Sequence, residues 1–116
     1  MDCSDPFSLC VQVSGLYLEG NNISSLDLGL VSLYPSLAVL KLSRNHIKTL
    51  SNSEANNLQF RIGLEELDLS LNSLQVIQMT VLAGLYRLRA LNLSHNHIHT
   101  IIQVIIVIVY YIQQPK

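Results

Sequence analysis

The sequence predicts an α/β-type solenoid, a chain that winds repeatedly on itself and lays one short strand of a parallel sheet in each coil. Three observations predict it. The first is a recurring spacing of leucines and one asparagine, found as Val13-Leu16-Leu18-Asn21-Ile23, Leu37-Leu40-Leu42-Asn45-Ile47, Leu64-Leu67-Leu69-Asn72-Leu74 and Leu88-Leu91-Leu93-Asn96-Ile98. The second is the pitch: the copies start 24, 27 and 24 residues apart, within the roughly 20–50 residue periods that mark stacked repeats. The third is that apolar residues at the first, fourth and sixth positions do not share one face of an ordinary strand or helix. They can all point into one coil, and only stacking of neighbouring coils buries them. At 116 residues, 49% of them hydrophobic, the chain suffices for one domain with a core.

Composition excludes several functions. A net charge of −1 with 13% charged residues supplies no basic cluster to grip a phosphate backbone, so no nucleic-acid partner is expected. The five glycines are scattered at positions 15, 20, 29, 63 and 84 and form no phosphate-cradling loop. No nucleophile elbow or zincin helix occurs either. The sequence therefore predicts a protein that is not an enzyme, with no cofactor and no small-molecule substrate. The start, Met1-Asp2-Cys3-Ser4-Asp5, is acidic and polar rather than a basic and apolar secretory signal. The expectation is a fragment that begins inside a longer protein.

Within each copy the fourth and sixth positions point inward from a short strand, and the third, fifth and seventh point outward. The asparagine at the ninth position turns the chain, its amide satisfying backbone groups that the bend leaves unpaired. Asn21, Asn45, Asn72 and Asn96 are thus expected to form a buried structural ladder rather than a reactive site. Apolar residues at the eleventh and fourteenth positions, such as Ile23 and Leu26 or Leu74 and Ile77, line the return path. The second copy carries three extra residues somewhere in 51–63, an insertion expected on the convex side or a rim.

These motifs resemble the leucine-rich repeat signature over residues 13–101, in four copies at 13–36, 37–63, 64–87 and from 88 to 101 or beyond. The 24-residue pitch is similar to the typical class found in Toll-like receptors, proteoglycans and chaoptin-like adhesion proteins. One departure is the absence of proline after the fourteenth position, where Asp27, Ser51, Gln78 and Ile102 stand; it predicts a return path more irregular or more helical than is usual. The resemblance implies a right-handed coil with its sheet on the concave face, where a protein ligand or receptor partner binds. It implies a receptor or adhesion ectodomain at the cell surface, as part of a longer chain. A cytoplasmic scaffold of the same fold and a truncated gene product without independent function are the alternatives. Residues 1–12 would be a reduced form of the cysteine-rich N-terminal cap, in which Cys3 and Cys10 either pair or remain free thiols.

Stacking the copies aligns the outward positions in columns. The third positions are Gly15, Val39, Glu66 and Ala90; the fifth, Tyr17, Lys41, Asp68 and Asn92; the seventh, Glu19, Ser43, Ser70 and Ser94; the eighth, Gly20, Arg44, Leu71 and His95. Tyr17, Glu19, Lys41, Arg44, Glu66, Asp68, Asn92 and His95 are the candidate partner-binding residues, with Lys41 beside Asp68 and Tyr17 as the aromatic anchor. Asn22-Ile23-Ser24 and Asn92-Leu93-Ser94 are candidate glycosylation acceptors, at Asn22 and Asn92. His95, His97 and His99 alternate near one turn, but no carboxylate or cysteine stands at ligand spacing, so exposed histidines are expected rather than a metal site.

The end of the chain breaks the pattern. In 101–112 everything except Gln103 is apolar or tyrosine. This run of 12 residues falls short of the roughly 17–25 that span a bilayer. Three readings of the tail from 102 to 116 stand: packing on the last coil, a truncated or foreign end, or membrane contact. Any membrane association would come through this segment or through missing ones.

Overall fold

A strand forms where alternate residues can be buried on one side, and each copy's leucines at the fourth and sixth positions provide that alternation. The computed structural model describes residues 12–102. In chain order the strands are β1 Gly15–Tyr17, β2 Ser25–Asp27, β3 Val39–Lys41, β4 Thr49–Ser51, β5 Glu66–Asp68, β6 Val76–Gln78, β7 Ala90–Asn92 and β8 Thr100–Ile102. The odd-numbered strands form one parallel four-stranded sheet in the order β1-β3-β5-β7. Its register aligns Leu16 with Leu40, Leu40 with Leu67 and Leu67 with Leu91. Equivalent leucines of the four sequence copies therefore sit side by side, as the spacing requires.

The return paths hold the even-numbered strands. Here β2 pairs with β4 and β6 pairs with β8, in two separate parallel ladders. Short 3₁₀ helices follow at Leu28–Leu33 and Met79–Leu82 in the first and third copies. Leu28 starts the first of these because the Asp27 carboxylate accepts the Gly29 N–H at 2.9 Å as an N-cap. The second copy instead runs through irregular turns over 52–63. There the longer chain is tied to the third copy: Ile62 N–H donates to the Gly84 carbonyl at 3.1 Å, and Asn52 Nδ2 donates to the carbonyls of Val81 and Ala83. Phe60 and Ile62 are buried in the core, so the insertion is not wholly a rim feature. Gly84 has φ +84, and a Cβ there would meet the Phe60 backbone oxygen at 2.6 Å, which fits only glycine.

The core lies between the sheet and the return paths. It is centred on Leu37, Leu40, Leu42, Ile47, Leu64, Leu67, Leu69, Leu74 and Ile77 of the second and third copies, with Leu28, Phe60 and Ile62. No helix among the described residues is long and apolar enough to cross a membrane. The expected cap, with Cys3 and Cys10, lies outside the described residues except for Gln12, and so does the apolar tail except for Ile102.

Candidate protein-binding surface

Three asparagines tie the copies together. Asn45 Nδ2 donates to the carbonyls of Leu18 and Leu42, while its Oδ1 accepts from Ile23 N–H of the preceding copy. Asn72 repeats this with Leu42, Leu69 and Ile47, and Asn96 with Leu69, Leu93 and Leu74. Each amide thus satisfies groups from two adjacent turns. Asn21 differs from the expected buried rung. It is exposed, donating to the carbonyls of Leu18 and Glu19 in its own copy, because no earlier repeat lies beneath it among the described residues.

The outward third- and fifth-position residues do lie in register across the sheet. Tyr17 is 62% exposed, and its ring lies over Gly15, where a Cβ would come within 2.8 Å of Cε2. Lys41 and Asp68 are half-buried register partners, but they form no ion pair. Asp68 turns its Oδ1 back to Ser70 N–H at 3.0 Å, and Asn92 accepts in the same way from Ser94 N–H at 3.0 Å. These Asx turns close the strand ends. Among the described residues the ion pairs instead join Arg89 to Glu66 at 2.9 Å and to Glu65 at 3.4 Å. Arg89 and Glu65 stand at the second position of their copies, one residue before the outward column, and were not among the sequence candidates. Exposed as they are, these pairs add little stability, but they present a charged network beside Asp68.

The seventh and eighth positions require a correction. The strands are only three residues long, so Glu19, Ser43, Ser70 and Ser94 lie in the turn beyond them, with Ser70 buried. The eighth position is a left-handed turn in every copy: φ is +72 at Gly20, 59 at Arg44, 56 at Leu71 and 57 at His95. Arg44 and His95 are exposed at the rim of the sheet, not on its flat face. Only Gly20 carried a signal for this geometry, since glycine adopts it without a Cβ penalty.

Of the remaining candidates, Asn22 is exposed in the turn and Asn92 is exposed on the outer strand. His46, His95, His97 and His99 are exposed, and no group of three or more His, Cys, Asp or Glu among the described residues could hold a metal ion. Asp27 was no sequence candidate, yet it joins two copies. Ser53 N–H donates to its Oδ1 at 2.8 Å and Gly29 N–H at 2.9 Å. The Ser53 backbone bond holds its carboxyl below the usual value, with help from Gly29 and against the opposing effect of burial.

In-register strands tied by asparagine amides define a repeat protein built on a parallel sheet. A family model described as leucine rich repeat matches residues 60–98. Toll-like receptor 9 of Mus musculus is 34% identical over 86 residues, covering 74% of this chain and 8% of that protein. The chain belongs to the leucine-rich repeat family. It spans 8% of the length of the curated relative it matches.

Proposed function

We propose that this chain is a non-catalytic protein–protein interaction module, a right-handed solenoid of four repeats of the 24-residue class, from a receptor or adhesion ectodomain. Its partner binds the outward face of the sheet β1-β3-β5-β7. The observation that carries this reading is the in-register row of Tyr17, Lys41, Asp68 and Asn92, which presents an exposed aromatic beside hydrogen-bonding and charged groups. Glu66 extends the row along its strand, and Glu19, Arg44 and His95 extend it in the turns at the rim. The likeness to a Toll-like receptor supports the receptor assignment, and the cell surface is the location that goes with that reading.

Area shapes the reading further. Four strands about 4.8 Å apart span about 14 Å, and each three-residue strand presents about 10 Å of length. That is roughly 140 Å², well below the roughly 800 Å² per partner of a standard interface. The rim residues therefore take part in binding, or neighbouring repeats of a longer chain complete the surface.

The test is to probe the 116-residue chain against an array of purified receptor and adhesion ectodomains. Tyr17→Ala and Lys41→Glu should each weaken a genuine hit about tenfold or more. Leu30→Ser, on the 3₁₀ helix and away from the sheet, should leave it unchanged. Hits that ignore the first two variants, or no hits at all, would refute the reading.

A further inference from the structure

The return side of the molecule contains an opening that the sheet side lacks. After the asparagine turn the second and third copies are still in contact, with Ser73 N–H donating to the Ile47 carbonyl at 2.9 Å. They then part. β4 pairs only with β2 and β6 only with β8, although the sequence copies place β4 and β6 at neighbouring positions. The copies meet again where Asn52 Nδ2 donates to Val81 and Ala83. The three extra residues of the second copy follow β4, within 51–63, where irregular turns replace the 3₁₀ helices of the first and third copies.

Between the two hydrogen-bonded ends lies a cleft of about 580 Å³, within the roughly 300–1,000 Å³ range of ligand sites. Leu50, Ala55 and Val76 supply apolar lining; Asn56, Gln78 and Lys48 supply polar groups. Lys48 is the only charged residue in the lining. Two open strand edges facing one slot are a template for main-chain pairing.

We propose that this cleft is a peptide-binding site that takes an extended segment of about four residues carrying one carboxylate, as an added strand between β4 and β6. The length follows from the closed ends: residues 48–51 span about 13 Å at roughly 3.3 Å per residue. The carboxylate follows from Lys48, which has no acidic neighbour in the lining. Alternate side chains of the segment face the apolar lining, and main-chain groups supply most of the affinity. The site is separate from the sheet face assigned above, so the two stand or fall independently.

The probe is a blocked tetrapeptide of threonine, valine, threonine and glutamate, titrated into the isotope-labelled full chain and followed by amide chemical shifts. Saturable shifts at Thr49–Ser51 and Val76–Gln78 are expected. Methylating the central amide nitrogens of the probe should weaken binding about tenfold, the scale of a lost main-chain hydrogen bond. Ala55→Trp should block the cleft, and Tyr17→Ala should leave binding unchanged. Absence of saturable shifts overturns the proposal, as do shifts confined to the four-stranded sheet. Equal binding by the methylated probe also overturns it, and this readout does not depend on how Ala55→Trp folds. Self-association without probe uptake would assign the open edges to a second copy of the chain and overturn it too.

Discussion

The inner and outer copies follow the same template and reach different environments. Leu67 and Leu69 of the third copy are 1% and 0% exposed, whereas Leu18 of the first and Leu91 of the fourth are 37% and 38% exposed. Asn72 is buried and bonded to two copies, whereas Asn21 is exposed and bonded to its own. The residue types match, so identity does not set the difference. Position in the sheet does: β3 and β5 have a neighbouring strand on each side to cover their leucines, whereas among the described residues β1 and β7 have one.

The largest effect that separates the two kinds of copy is expected at the asparagines. Asn72→Ala removes an acceptor for Ile47 N–H and donors for Leu42 and Leu69 carbonyls, all in a buried setting. Each stranded group costs about 1–3 kcal/mol, so a loss of about 3–5 kcal/mol is expected in urea unfolding of the full chain. Asn21→Ala should cost under about 1 kcal/mol, because water replaces its bonds. Similar losses at both positions would show that end copies are as tightly packed as inner ones.

A somewhat smaller contrast is expected at the leucines. Leu67→Ala should cost about 3 kcal/mol through lost burial and the cavity it leaves. Leu91→Ala, at a position already partly in water, should cost about 1 kcal/mol. Equal costs would break the comparison by showing that Leu91 is covered.

The smallest effect concerns Asp27, which ties the exposed first copy to the second through Ser53 N–H. A carboxyl held below its ordinary value of 3.8 lends stability above that pH and loses it as pH falls through the folded-state value. Stability followed against pH should therefore decline in acid from about pH 4 downward, and Asp27→Asn should flatten that part of the curve. An unchanged curve would show that the tie contributes nothing.

Much of this architecture was legible in the spacing of a few residues. The strands β1, β3, β5 and β7 fall on the leucines because burial alternates with period two there, and the asparagine phase marks where each strand ends. The return strands were not legible. Each is three residues long, with Leu26, Leu50 or Ile77 turned inward in the first three and apolar neighbours Ile101 and Ile102 in the last, and so short a run cannot establish an alternation. The left-handed eighth position was hidden for a different reason: Arg44, Leu71 and His95 adopt a conformation that only Gly20 advertises. The pairing of Arg89 with Glu65 and Glu66 needs both the register and the side-chain reach, neither of which the one-dimensional pattern contains.

The amino-acid order accounts for the period, the inward leucines and the asparagine turns, because these depend on contacts that repeat identically from copy to copy. How deeply each copy is buried, and where the return ladder divides between β4 and β6, depends on the stack. Burial is a property of neighbours, and a strand pair forms only when two edges come within hydrogen-bond reach. The leucine–asparagine pattern is the same in copies whose return strands pair and in copies whose return strands do not.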